Sequence, residues 1–357
     1  MSSHKMKLFV AAIVGLFIIC GVATAGHSAG IDCKHAQAQF DKTLCSDPRL
    51  VDQDQAMNTA YDAIKKKLSV DAQDDFRLGQ KTWLSFVRKQ CNVEQLKAEK
   101  VSQKVCGNDA GCVAAPYDSQ NDCIWGEYNN RIQSLEEGLK NSKENFLIVD
   151  NTLSGVFPPL EEDDDSEGNA GVKISYPQIY VPYSEGIKKW NAAQRKVPHN
   201  DKGDDDCQRN LSYTIGLTTS NFVSFEFSED WYCKGMNHPN DNADTQNISL
   251  PSGNLLQAND IFDKSTHWEE ALSKMVSEGL KPNIGFQCPG PKCESSPENL
   301  KNLVTNPLNW QINPGGLTIV INNYTITDYA DSPGGVDLSW EQLKLYLRKD
   351  FLAALPR

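Results

Sequence analysis

The chain has 357 residues, which is enough for two domains, and 39% of them are hydrophobic, which is enough for packed cores. Its 47 acidic residues outnumber the 35 basic ones and give a formal net charge of −12. This charge argues against nucleic acid and anionic membrane surfaces as partners and suits a cationic partner, because opposite fields speed encounter. Solubility alone would also account for an acidic composition.

Residues 1–25 have the layout of a cleavable secretory signal. Lys5 and Lys7 precede an apolar stretch from Leu8 to Val22, and Ala23-Thr24-Ala25 supplies the small residues that a signal peptidase reads. The alternative is an uncleaved anchor, because the stretch from Leu8 to Ala25 has 18 residues, just at the lower limit for spanning a bilayer. We expect cleavage and therefore an exported protein, periplasmic or secreted.

The cysteine count agrees with export. Of the eleven cysteines, Cys20 would leave with the signal, and an even number remains, which predicts disulfides in an exported chain. A zinc site is the alternative, but the sequence contains neither a C-x-x-C motif nor a His pair at ligand spacing. The cysteines expected in disulfides are Cys33, Cys45, Cys91, Cys106, Cys112, Cys123, Cys207, Cys233, Cys288 and Cys293.

A first module, residues 31–141, is predicted to be a disulfide-stapled, all-α helical bundle. After Ser46-Asp47-Pro48, a cap followed by an early proline, apolar residues recur on one helix face from Leu50 to Leu68. The same periodicity returns from Phe76 to Val87 and from Ile124 to Leu139. The positions of the cysteines at the ends of these stretches make covalent ties between helix ends plausible.

Residues 142–170 are predicted to be an acidic linker. They contain Pro158-Pro159 and the run of acidic residues from Glu161 to Glu167. Like charges packed this closely repel one another and stay solvated. A docking tail for a basic partner is the alternative interpretation.

A second module, residues 171–357, is predicted to be α+β. Alternating stretches such as Leu211–Leu217 and Leu317–Tyr324 indicate strands, and Trp268–Glu278 and Trp340–Leu355 indicate helices. Strands that are grouped, with helices apart from them, are typical of this fold class.

No catalytic pattern stands out in the sequence. H-E-x-x-H and Walker A motifs do not occur, and the G-x-S-x-G match at Gly26–Gly30 directly follows the expected signal cleavage site. His199 lies near Asp201 and the run Asp204–Asp206, but the D-x-D-x-D-G order is absent, so an acidic surface loop is favoured over a cation site. We expect a protein that is not an enzyme, with no catalytic residue, cofactor or metal.

A spaced set of cysteine, polar and aromatic residues runs through the first module. Its members are Cys33, Cys45, Asp47, Pro48, Leu50, Asp54, Tyr61, Gln80, Trp83, Cys91, Cys123 and Arg131. This set resembles the LprI-type lysozyme-inhibitor family. The stretch from Asn92 to Asn121, with Cys106 and Cys112, departs from the family pattern. Gln80 and Trp83 lie one helical turn apart, so a buried aromatic with a hydrogen-bonding neighbour is a simpler interpretation than a binding spot.

Ordered blocks in the second module carry another resemblance. They include Gly235-Met-Asn-His-Pro-Asn240, Asn247-Ile-Ser-Leu-Pro-Ser-Gly253, Asp260-Ile-Phe262 and Val336-Asp-Leu-Ser-Trp340. Together they resemble the lysozyme-sensing extracytoplasmic domain of RsiV-type anti-sigma factors. The simplest interpretation of His238-Pro239-Asn240 is a tight turn between strands.

Both resemblances imply lysozyme, a cationic muramidase, as the partner. The function expected is that of an exported cell-envelope protein that binds lysozyme and inhibits it by occluding its cleft, with no membrane insertion after signal cleavage. The alternative is a non-inhibitory envelope module that binds peptidoglycan or another envelope protein. Constrained loops lose little entropy on insertion into a cleft. The contact residues expected on such loops are Asn108, Asp109, Pro289, Gly290, Pro291, Asp331 and Ser332.

Overall fold

The computed structural model describes residues 30–92, 119–141, 146–156, 171–195, 207–233, 236–280, 297–326 and 334–356. Over these ranges the chain is a multidomain α+β protein: helices form the N-terminal region, and a mixed sheet and a second, smaller sheet form the rest. Of the helices in these ranges, none is both long and apolar enough to cross a bilayer. The expected signal segment, residues 1–25, lies outside them.

In the described part of the N-terminal region, one short helix precedes three long ones. These are α1 (Gln39–Ser46), α2 (Pro48–Lys65), α3 (Val70–Gln90) and α4 (Gln120–Asn141). Asp47 caps α2 by accepting a hydrogen bond from the backbone N–H of Arg49, and Pro48 occupies the first turn, where its missing N–H costs nothing. The cap and proline predicted from the sequence are confirmed.

The larger sheet has five strands in the order β1-β2-β3-β4-β5. They are β1 (Leu147–Val156), β2 (Gly171–Val181), β3 (Cys207–Thr218), β4 (Phe222–Cys233) and β5 (Asn240–Ser249). Neighbouring strands are antiparallel except β2 and β3, which run parallel and have helix α5 (Glu185–Gln194) between them in sequence. Helix α5 packs Ile187 and Trp190 against one face of this sheet.

Strand β1 lies where the sequence analysis expected an acidic linker over residues 142–170. It pairs with β2 along its length, so that Val156 lies opposite Gly171. The acidic run from Glu161 to Glu167, which lies outside the described residues, therefore connects two neighbouring strands of one sheet. The charges and prolines of this segment dominated its sequence pattern and obscured the apolar stretch from Phe146 to Val149, which is buried.

The helical region and β1 and β2 share one hydrophobic core. Leu147 and Val149 of β1 and Tyr180 of β2 pack among the buried side chains of the helices. The ring of Phe76 on α3 stacks on Tyr61 and meets the Tyr180 ring edge to face, at centroid distances of 4.6 and 5.2 Å. The core that begins in the helices therefore extends past residue 141 into the sheet.

The C-terminal unit combines a three-stranded antiparallel sheet with short helices. Its elements are α6 (Ala258–Ile261), α7 (Trp268–Leu280), α8 (Pro297–Thr305), β6 (Trp310–Asn313), β7 (Gly316–Val320), β8 (Gly335–Ser339), α9 (Trp340–Leu343) and α10 (Lys349–Ala354). Its core is centred on Trp310, against which the stacked rings of Phe262 and Trp268 pack edge to face.

Side chains cover sheet edges that would otherwise expose unpaired backbone groups. At the outer edge of β5, the Asn322 side chain accepts from the N–H of Ala243 and donates to its carbonyl, at 2.7 and 2.9 Å. The buried side chains of Ser224 and Asn247 satisfy backbone groups of β6 in the same way. These bonds fix the C-terminal unit on the larger sheet.

Helix α3 approaches β1 closely at Gly79. A Cβ atom at this position would lie 2.7 Å from Oδ1 of Asn151, a residue that is itself buried. The absence of a side chain at Gly79 is therefore a condition for packing the helix onto the sheet.

Replacement of Gly79 by Ala is expected to lower the free energy of unfolding by about 1–2 kcal/mol. Overpacking costs about 1–3 kcal/mol, and the better helix propensity of Ala returns at most about 1 kcal/mol. Urea unfolding measures the change. Gly315→Ala is the matched control, because a Cβ there meets nothing within 4 Å, and its stability should be close to wild type. Equal stability of the two variants would contradict the close approach.

Candidate functional site

Two disulfides close one end of the helical region. Cys33 is bonded to Cys45, and Cys91 at the end of α3 is bonded to Cys123 at the start of α4, with Cα–Cα distances of 5.4 and 5.5 Å. Each bond of this type contributes roughly 2–4 kcal/mol by restricting the unfolded chain.

The other expected disulfide cysteines are only partly described. Cys233 is disulfide-bonded, and the backbone of Cys207 lies directly opposite it in the β3–β4 pair. The remaining positions, Cys106, Cys112, Cys288 and Cys293, lie outside the described residues.

The polar residues of the helical pattern converge on the buried guanidinium of Arg131. Its Nε and Nη2 atoms donate to Oε1 of Gln80 at 3.0 and 2.9 Å, and its Nη1 atom donates to the backbone carbonyl of Asp150. The guanidinium also lies over the ring of Trp83, 5.7 Å from its centroid. Burial lowers the pKa of Arg131 from its ordinary value, and these contacts compensate the lost hydration.

Asp54 organises a second polar contact in the same core. Its Oδ2 atom accepts from the backbone N–H of Ile31 at 2.7 Å and from Nδ2 of Asn58 at 3.0 Å. Burial raises the pKa of Asp54, and a hydrogen bond with Tyr128 opposes that shift. The Tyr128 ring in turn packs edge to face on Trp83 at 5.0 Å.

The buried members of the pattern help to hold the fold together. Asp54, Trp83 and Arg131 are each less than a tenth exposed. The structure thus agrees with the simpler interpretation of Gln80 and Trp83 as a buried aromatic with a hydrogen-bonding neighbour. The sequence pattern could not show that Arg131 reaches across to a strand.

Two polar ties join the helices to the sheet. In the first, the N–H of Asp150 donates to Oγ of Ser134 at 3.1 Å, so that both backbone groups of Asp150 are bonded to α4. In the second, Asp75 of α3 accepts from Arg195 at 2.9 Å and from the hydroxyl of Tyr183 at 2.6 Å. The ties and the shared core place the two parts in one fixed arrangement.

The side chain of Asp150 is an ionisable group inside this junction. Its Oδ1 atom is inaccessible to solvent and has no hydrogen-bond partner among the described residues. Burial raises the pKa of Asp150 to about 6, although Arg131 and a hydrogen bond from Tyr213 favour the charged form.

The expected contact loops lie outside the described residues. This holds for Asn108, Asp109, Pro289, Gly290, Pro291, Asp331 and Ser332. Within the described ranges, no group of three or more His, Cys, Asp or Glu side chains is arranged to hold a metal. The exposed aromatic side chains include Trp125, beside the Cys91–Cys123 bond, and Tyr232 and Tyr324 at the far end of the larger sheet.

Several pattern residues of the second module have structural roles. Gly253 has a φ of 72° and packs its backbone against Gly186 of α5, where a Cβ would clash. Asp260 completes a capping box with Gln257, and Phe262 lies in the C-terminal core. Nδ1 of His238 lies 2.8 Å from the carbonyl oxygen of Pro239, in the segment that leads into β5.

Residues 32–135 match the family described as lysozyme inhibitor LprI. The match covers the helical region with both of its disulfides. No curated protein matches the chain.

Two solved structures of the DUF3298 family are similar to parts of the chain. One, from Bacteroides fragilis, is 14% identical, with 58% of this chain and 97% of that chain covered and a TM-score of 0.39. The other, from Pseudomonas aeruginosa, is 11% identical, with coverages of 59% and 97% and a TM-score of 0.40.

Replacement of Arg131 by Met should lower the free energy of unfolding by about 2–4 kcal/mol. It leaves Oε1 of Gln80 and the carbonyl of Asp150 without donors in a buried site. Arg88→Met is the control, because Arg88 is half-exposed and pairs with Asp41 at 3.5 Å, a surface pair worth at most about 1 kcal/mol. Chemical denaturation of both variants measures the difference, and similar losses would speak against the network.

Replacement of Asp150 by Asn should remove a pH dependence of stability. A folded pKa of about 6, above the ordinary 3.8, means that Asp150 supports folding fully below about pH 4 and that this support is lost as pH rises to 6. Each unit of displacement corresponds to about 1.4 kcal/mol. The Asn variant should therefore gain stability relative to wild type from pH 4 to 7. Parallel stability curves for the two proteins would contradict this assignment.

Proposed function

We propose that this protein is an exported cell-envelope protein that binds lysozyme and inhibits it. The observation that carries the proposal is the match of residues 32–135 to the lysozyme inhibitor LprI family. The pattern residues of that region build a closed core in the structure, as a scaffold for binding requires.

The disulfides support a location outside the cytoplasm. Cys33–Cys45 and Cys91–Cys123 are bonds of a kind that form and persist in oxidising compartments. Together with the signal-like residues 1–25, they favour a periplasmic or secreted protein without a membrane anchor after cleavage.

The charge of the chain supports a cationic partner. Lysozyme is strongly cationic, and a net charge of −12 would steer the two proteins together. Lysozyme cleaves glycans with two carboxyl groups in a cleft, so an inhibitor needs only to occlude that cleft. No catalysis, cofactor or metal of the protein's own is required.

We also propose that the second module is an RsiV-like lysozyme-binding domain. The constrained loops remain the proposed contacts: Asn108 with Asp109, Pro289 to Pro291, and Asp331 with Ser332. Insertion of such loops into the cleft would block the substrate directly.

Titration of c-type lysozyme with the purified, oxidised protein tests the function. The rate of cell-wall hydrolysis should fall in proportion to added protein until it is saturated. A sample that has been reduced and alkylated is the control and should inhibit much less, because its helical region loses both disulfides. No loss of rate at micromolar excess, together with pull-down by insoluble peptidoglycan, would favour the non-inhibitory envelope module instead.

A further inference from the structure

The C-terminal unit covers one end of strands β3, β4 and β5. At their other end, these strands extend beyond that unit. Near Phe222 and Ser224 of β4, one face of the sheet is covered by β6 and α10. Six residues further along, at Asp230, the same face is exposed. We call this exposed part of β3–β5, with the adjoining turn at Asn323 and Tyr324, the open face.

The strand register fixes which side chains share the open face. Asp230 of β4 lies directly opposite Asp241 of β5, and Asn210 of β3 lies opposite Asp230 on the other side. Tyr232 projects from the same face, because alternate residues of a strand point the same way. Tyr324 follows Asn323, whose side chain donates to Oδ1 of Asp241 at 2.6 Å.

The charges on this face are arranged unfavourably for the isolated protein. Two carboxylates directly opposite each other across a strand pair destabilise a sheet. Within the described residues, Asp230 and Asp241 accept side-chain hydrogen bonds from the neutral amides of Asn210 and Asn323. No Lys or Arg occupies the positions of β3, β4 and β5 that point to this face, and Lys173 of β2 lies beside Asn210 at its border.

The aromatic side chains make the face suitable for a protein partner. Tyr232 is 44% exposed and Tyr324 is 52% exposed. Carboxylates bind guanidinium and ammonium groups, and tyrosine rings pack against the same groups, so the combination recognises Arg and Lys side chains. Tyrosine is also among the residues that contribute most to the binding energy of interfaces.

We propose that the open face is a docking surface for the basic, Arg- and Lys-bearing surface of lysozyme. This inference rests on the proposed function and adds the surface through which the second module would act. The opposed carboxylates of β4 and β5 and the neighbouring tyrosines complement the charge of a strongly cationic partner.

Affinity measurements on the full mature protein with c-type lysozyme test the inference. Asp230→Asn with Asp241→Asn should weaken binding at least about tenfold at low salt, mainly through slower association, and the difference should shrink at high salt. Glu278→Gln with Glu298→Gln is the control. It removes the same charge from exposed positions on α7 and α8, and binding should change by less than about twofold.

The Tyr324→Asn variant separates the aromatic contribution from charge. Tyr324 has a φ of 60°, and Asn tolerates this conformation better than other residues with a side chain, so the turn should persist without the ring. Binding should weaken by about tenfold with little dependence on salt. Hydrogen exchange in wild type should slow on the Asp230–Asp241 segments when lysozyme is added, which tests the surface without a mutation.

The outcomes separate the two proposals. If wild type binds lysozyme but the open-face and control variants bind alike, and exchange on β4 and β5 is unchanged, the docking surface is wrong and the proposed function stands. If wild type does not bind lysozyme at all, the proposed function fails and the docking surface fails with it.

Discussion

A guanidinium cannot be left without partners in a protein interior, and the junction between the helices and the sheet is organised around that of Arg131. Gln80 of α3 and the carbonyl of Asp150 in β1 accept its hydrogen bonds, while Trp83 covers its face. Because α3, α4 and β1 each contribute a group, displacing any one of them leaves buried hydrogen-bonding groups of this network without a partner. The contact of Asp75 with Arg195 repeats this constraint at a second point on α3.

As a consequence, the hydrophobic core of the helical region continues beyond the last of its helices. Leu147, Val149 and Tyr180 complete the core that begins in α1 to α4, and Gly79 permits the close approach that brings them in. The family match stops at residue 135, before these strands. The surfaces of the helical region and of the larger sheet are therefore presented to a partner in a fixed relation to each other.

The sequence predicted the helices well because their periodicity and caps are local. The Asp47-Pro48 start of α2 and the positions of Cys91 and Cys123 at helix ends follow from patterns within a few residues of each boundary. The pairing of these two cysteines could not be read from the sequence. Strand β1 was hidden by the acidic run next to it, since charge patterning says nothing about pairing with a strand beyond the run. One acceptor of Arg131 is the backbone carbonyl of Asp150, which no residue pattern marks, so its contact with the sheet could be found only from the fold.

The buried pattern residues build the scaffold. Recognition of a partner has to come from side chains that the scaffold leaves exposed. Strands β3 to β5 illustrate the difference, because one face carries an ion pair and the other carries two neighbouring carboxylates. On one face, Arg209 lies 3.2 Å from Glu229, so the charges are compensated within the protein. On the other face, Asp230 and Asp241 lie side by side and, among the described residues, accept hydrogen bonds from the amides of Asn210 and Asn323. The same strand pairing carries both arrangements. Folding of the sheet therefore does not require the two neighbouring carboxylates. The opposed carboxylates of Asp230 and Asp241 destabilise the sheet of the isolated protein. A cationic partner bound to this face would supply the opposite charge and offset that cost.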